Sequence, residues 1–162
     1  MQEPRTTEAV FRRWDSSEDT IEQMFPMKAM DSLELIASTG KTPRESLQDS
    51  IDFSLEAWTV ECDRAHLAIY GVALDTNRNG VPWFIGSQGL EQLDSIAFSR
   101  ASRHVVDIWT QEYFFLHNMV LASYTSAHKW LRFLGFTIAD SSPVQLEDPA
   151  EPFYYFWREN YV

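Results

Sequence analysis

Apolar residues recur every three to four positions in some stretches of the chain and alternate or cluster in others. That contrast sets the order of elements. In "MKAMDSLELIAST", Met27, Met30, Leu33 and Ala37 form a helical stripe read as core, and Gly40 stands where a helix stop belongs. "TPRESLQDSIDFSLEAW" opens with Thr42 as N-cap, Pro43 in the first turn and Glu45 closing a capping box; Leu47, Ile51 and Ser54 continue one face. A shorter segment, "SSEDTIEQMF", has Asp19 and Glu22 at capping-box spacing before Pro26 interrupts it. In "SIAFSRASRHVVDIWTQEY", Phe98, Ala101, Val105 and Ile108 line one face, with Arg100, Arg103 and Asp107 away from it. "TSAHKWLRFLG" is the last helix, capped by Thr125 or Ser126 and closed by Gly135.

Between these stretches the period changes. "AVFRRW" reads as a short first strand. "AWTVEC", "LAIYGVALD" and "VPWFIGS" read as an antiparallel meander, turning at "DRAH" and at "TNRNG", where Asn79-Gly80 favours positive φ. "FFLHNMVLAS" and "FTIAD" are two further strands, and an acidic loop, "SSPVQLEDPAEP", leads into the aromatic strand "FYYFW". The order β, α, α, β, β, β, α, β, α, β, β implies an α/β (α+β) sandwich with a mixed sheet, in one domain over residues 1–162.

Charge narrows the partners. The 162 residues carry 13 Lys+Arg against 24 Asp+Glu, a net charge of −11, which argues against nucleic-acid binding because phosphate contacts need a basic face. The longest apolar run, "LAIYGVAL", is far shorter than the roughly 20 residues that span a bilayer. "MQEPRTTEAV" lacks the basic and apolar regions of a signal peptide, and the lone Cys62 fits a reducing compartment. A soluble protein that is not secreted, with no membrane or nucleic-acid partner, is expected. His66, His104, His117 and His128 show no ligand spacing with Cys62, so no metal is expected either.

"AHKWLRFLGF", residues 127–136, resembles the fourth-helix motif of the GNAT superfamily of acyl-CoA-dependent N-acyltransferases, with Ala127, Trp130, Leu134, Gly135 and Phe136 in the matching places. The element order is similar over nearly the whole chain. Within the superfamily, "WFIGS … FSRASR … HKWLRFLGF … PFYYFW" most resembles the GNAT-like internal virion or morphogenesis proteins of short-tailed phages. The resemblance implies a mixed, mostly antiparallel central sheet flanked by helices, acetyl-CoA or CoA as cofactor, and a place in the virion or host-cell cytoplasm beside a virion or host protein.

Three family signatures are altered together. The phosphate loop, approximately [QR]-x-x-G-x-[GA], is replaced by "GSQGLEQLDSIAFSRASR", where Gly86, Ser87, Ser99, Arg100 and Arg103 are the cofactor-binding candidates. The plain alternative is an amphipathic helix with solvated arginines. The thiolate-protonating tyrosine falls at Leu131; Tyr124 is the available substitute, or simply packing. The expected asparagine is out of place, since Asn118 lies inside the strand. "VPWFIGS" holds no carboxylate, which leaves Glu61 and Glu112 as distant candidates for a base. No catalytic residue is assigned.

The favoured function is therefore a protein with degenerate acetyl-CoA motifs that acts in virion assembly or binds another protein. The first alternative is an active N-acyltransferase acting on an amine of a protein or small molecule; it requires an open V-shaped gap between "VPWFIGS" and "FFLHNMVLAS". The second is an acidic inhibitor of a host protein, which requires the carboxylates to gather on one face.

Overall fold

The computed structural model describes residues 9–160. Its elements are β1 (Val10–Arg13), α1 (Ala29–Thr39), α2 (Pro43–Phe53), β2 (Ser54–Cys62), β3 (Ala65–Leu74), β4 (Gly80–Gly86), α3 (Ser95–Tyr113), β5 (Phe115–Leu121), α4 (Thr125–Phe133), β6 (Thr137–Ile138), β7 (Val144–Gln145) and β8 (Pro152–Glu159), with single 3-10 turns at Ile21–Met24 and Gln88–Gln92. The eight strands form one sheet ordered β1-β2-β3-β4-β5-β8-β6, with β7 also on β8. Every pairing is antiparallel except β4 with β5.

The sheet alternates, so each face has its own core. Ala68, Tyr70 and Val72 of β3 join Val106 and Trp109 of α3 and Leu131 and Leu134 of α4 on one side. Ile69 and Ile85 pack with Met24, Met27 and Leu47 on the other, and Ala37 of α1 meets Leu121 and Phe153 there. The helix ends follow their chemistry. Thr42 Oγ1 accepts the Glu45 N–H at 3.2 Å, and Gly40 closes α1 at φ +70°. Gly135 adopts φ +91°, and the Phe136 N–H reaches back to the Leu131 carbonyl at 3.0 Å, so the chain reverses into β6.

Several local expectations are corrected. Thr20, not Asp19, precedes the 3-10 turn, and Gln23 Oε1 accepts its N–H at 2.9 Å; the Asp19 carboxylate is taken by Arg12. α2 stops at Phe53 because Ser54 pairs with Ala73 in the sheet. In the turn before β4 it is Arg78 that takes φ +65°, while Asp75 Oδ1 accepts from the Asn77 and Asn79 N–H groups. The buried face of α3 runs through Val106, Trp109 and Thr110, rotated from the expected stripe, and Ile108 is exposed. Tyr124 occupies the cap position of α4, and a two-residue strand, β7, forms within the acidic loop.

Candidate functional site

β4 and β5 run parallel and share one register pair, Gly80 with Leu116. Beyond it they separate. Asn118 Nδ2 donates to the Pro82 carbonyl at 2.8 Å across the narrow end. Above that bridge a cavity of about 600 Å³ passes between α1 on one face and α3 and α4 on the other.

On the α1 side the cavity is acidic. Asp31 is buried, its Oδ2 accepts the Gly86 N–H at 2.7 Å, and the Tyr124 hydroxyl donates to the same carboxylate. Burial pushes the Asp31 carboxyl above its ordinary range. Glu34, one helical turn on, is half-buried, and its Oε2 accepts the Leu121 N–H at 2.9 Å. Burial, reinforced by the Asp31 charge and opposed by the Leu121 bond, pushes Glu34 up to about 7. Burial and the two carboxylates hold the Tyr124 hydroxyl well above its usual range. Lys28 Nζ lies 6.0 Å from the centre of the Tyr124 ring.

On the α3 and α4 side the wall is aromatic. Phe84 of β4 and Trp130 of α4 approach to 4.8 Å between ring centres, and Phe98 of α3 stacks on Trp130 at 6.1 Å. The Trp130 indole N–H is buried with no partner among the described residues, so a ligand acceptor reaching it would satisfy a costly donor.

The loop between β4 and α3 is where the family resemblance expects a pyrophosphate to sit on backbone N–H groups. Here the N-terminus of α3 is held by its own chain. Asp94 Oδ1 accepts the Ile96 and Ala97 N–H groups at 3.0 and 3.2 Å. The free N–H groups and partial positive charge that bind anions at a helix start already face a carboxylate.

Of the cofactor-binding candidates, Ser99 lines the cavity. The others are engaged or placed elsewhere. The Gly86 N–H is committed to Asp31, and a Cβ on Gly86 would meet Lys28 Cδ at 2.8 Å. Ser87 is buried and its hydroxyl donates to the His66 carbonyl at 2.9 Å. Arg103 donates to the Phe133 carbonyl at 3.1 Å and lies over the Phe133 ring, bracing the end of α4. Arg100 is exposed, outside the cavity lining.

The remaining candidates separate in the same way. Leu131, in place of the family tyrosine, is part of the core. Tyr124 stands seven residues earlier, hence on the same helical face two turns nearer the cavity's acidic end. Glu112 is exposed. Glu61 lies with Asp19 and His66 in a cluster of metal-ligand type, but Arg12 fills it: the guanidinium bonds Asp19 at 2.6 and 2.8 Å and Glu61 at 3.1 Å. His66 Nδ1 pairs with Thr59 Oγ1 at 2.8 Å. These groups brace β1 against β2 and β3.

The site residues that sequence reasoning missed are Asp31 and Glu34. Their signal was present: two carboxylates at i and i+3, beside the apolar stripe of Met30, Leu33 and Ala37 rather than opposite it.

No family model and no curated protein matches the chain. Solved structures do. An IAA acetyltransferase from Bacillus cereus superposes with a TM-score of 0.62 at 10% identity, covering 94% of this chain and 100% of its own. A GNAT family acetyltransferase from Elizabethkingia anophelis with acetyl-CoA bound gives 0.61 at 12%, covering 94% and 98%. Spermidine N-acetyltransferase from Vibrio cholerae, in complex with CoA and spermine, gives 0.62 at 9%, covering 93% and 95%. At such identities the likeness is one of architecture, and the architecture is clear: this chain has the mixed, open-sheet fold of the GNAT acetyltransferases.

Proposed function

We propose that the protein is a GNAT-fold binding module that uses the gap between β4 and β5 to hold a group of a protein partner, without acetyl-CoA-dependent transfer. The observation that carries this reading is the Asp94 carboxylate seated on the N-terminus of α3. A pyrophosphate there would meet a like charge and two N–H groups already satisfied. Gly86, Arg103 and Leu131, engaged or buried as described, supply no replacement handle. The resemblance to internal virion proteins supports a partner within a phage particle, so assembly is the role proposed. An inhibitor with a single acidic face is not supported: the carboxylates are spread over many elements and several are paired locally, as in Arg13 with Glu56, Lys41 with Asp49 and Arg132 with Asp140.

A second reading is favoured by one specific arrangement, Glu34 and Tyr124 at the mouth of an open gap. In an acyltransferase, Glu34 would take the proton from an amine attacking the thioester carbonyl. Tyr124 would return a proton to the departing thiolate. An assay of CoA release from acetyl-CoA, over a panel of polyamines and lysine peptides, decides between the two. The binding reading predicts no release above the uncatalysed background. Saturable turnover that is lost in Tyr124→Phe would establish the transferase instead.

A further inference from the structure

We infer that a second surface, an uncovered aromatic face on β5 and β8, docks an arginine side chain of a protein partner, stacked on the rings and forked by the Glu159 carboxylate. None of its residues lines the cavity between β4 and β5, so the inference goes beyond the reading of that gap.

Alternation divides β5 and β8 between the two faces of the sheet. Leu116, Val120 and Phe156 point into the core under α3 and α4. The residues between them face the other way, where α1 covers Met119, Leu121 and Phe153 through Met30, Leu33 and Ala37. The cover stops there. Phe115, His117, Tyr155 and Trp157 lie on the same face, half-buried, and join no core cluster among the described residues. Their rings form one continuous array. Phe115 lies 5.5 Å from His117, His117 5.7 Å from Tyr155, and Tyr155 5.6 Å from Trp157, between ring centres. The first and last pairs are near parallel, at 27° and 22°. Phe114, one residue before the array, is 63% exposed.

Two carboxylates border the array, and they differ. Asp75 is committed: its oxygens accept from the Asn77 and Asn79 N–H groups and the Asn79 side chain, and His117 Nε2 lies 2.7 Å from Oδ2. It fixes the His117 ring and adds negative charge. Glu159 pairs across the strands with Phe115, is exposed, and has neither oxygen taken by a hydrogen bond or ion pair among the described residues. The nearby Arg158 is turned to the opposite face, on the Leu134 carbonyl and Asp107. No cation–ring contact among the described residues uses any of the four rings. Aromatic faces beside a carboxylate with both oxygens open match a guanidinium, which is planar, stacks on rings and forks both oxygens. An ammonium is a strongly hydrated point charge and gains less from either. Charge selects against the other occupants. A second copy brings its own net charge of −11, and nucleic acid or an anionic membrane is repelled by the same carboxylates.

The test is a titration of the ¹⁵N-labelled full chain with the pentapeptide acetyl-Gly-Gly-Arg-Gly-Gly amide, and with its lysine counterpart in parallel, at about 0.15 M salt so that distant charges are screened. The Trp157 indole N–H and the Phe115 and Trp157 amides are the local reporters. The expected result is saturable shifts of these signals by the arginine peptide in the millimolar range. The lysine peptide binds about fivefold more weakly, and Glu159→Gln, an exposed change that keeps the other resonances in place, weakens the arginine peptide by a similar factor. Absence of saturable shifts at the array, equal binding of the lysine peptide, or an unchanged affinity in Glu159→Gln overturns the inference. Shifts of the same signals with protein concentration alone also overturn it, since a second copy would then be the occupant. No acyl donor or CoA is present, so the outcome is independent of what the gap between β4 and β5 binds.

Discussion

The Asp94 carboxylate accepts the Ile96 N–H at 3.0 Å and thereby closes the helix start that opens onto the gap. One residue thus separates two consequences of the same fold. The strands diverge, the cavity is present and its α1 side carries Asp31, Glu34 and Tyr124. The anion seat beside it is filled from within.

Gly80 holds the point from which the gap opens. A Cβ there would meet Leu116 Cδ2 at 2.5 Å and Tyr113 Cβ at 3.3 Å, and Leu116 is fully buried. Gly80→Ala is expected to cost about 1–3 kcal/mol by overpacking. Leu116→Ala in the same chain should be less than additive with it. Urea denaturation of the two single variants and the double variant measures this, and simple additivity would show that the close approach is not the cause.

The Glu34 contribution to stability should fall as pH rises from about 4.5 to about 7. The folded chain holds Glu34 at about 7 against an ordinary value of 4.5, so the folded state keeps a proton that the unfolded state gives up. The contribution is favourable below about pH 4.5 and is lost progressively up to about pH 7, by as much as ~3 kcal/mol. Asp31, also raised by burial, acts in the same direction. Urea midpoints at pH 5 and pH 8 should differ in the native chain and differ less in Glu34→Gln, which should be the more stable of the two at pH 8.

Arg12 carries the far edge of the sheet. Its guanidinium neutralises the buried Asp19 and the half-buried Glu61, and the pair holds Asp19 below the usual carboxylate range. Arg12→Ala leaves two like charges facing each other, and about 2–4 kcal/mol of destabilisation is expected, reduced below the 3–5 range because the arginine is partly exposed. Arg12→Ala with Asp19→Asn should recover part of the loss. A neutral result for Arg12→Ala in thermal or urea unfolding would show that solvent already screens the cluster.

Much of the fold was legible because its signals are local. The Thr42-Pro43-Glu45 start, the Gly40 and Gly135 stops and the continuous apolar run in "LAIYGVALD" each act within a few residues. The gap could be named as a requirement but not located, since it depends on β4 and β5 sharing a single register pair at Gly80 and Leu116, residues 36 positions apart. The site was the least legible part. Arg103 and Gly86 looked available for phosphate until Phe133 and Asp31, distant in sequence, claimed their donors. Asp31 and Glu34 were not singled out, because burial of a carboxylate is decided by what packs over it. Asp94 is the opposite case. An aspartate before a helix is ordinary capping chemistry, and it gains a functional meaning only once that helix is seen to open onto the gap.

The most direct measurement is calorimetric titration of CoA into the native chain and into Asp94→Gly, a change that costs only a few tenths of a kcal/mol as a cap and removes the competing charge. The account predicts no saturable heat for the native chain at millimolar ligand and measurable binding once Asp94 is gone. Saturable binding by the native chain in the micromolar range, unchanged in Asp94→Gly, would contradict it.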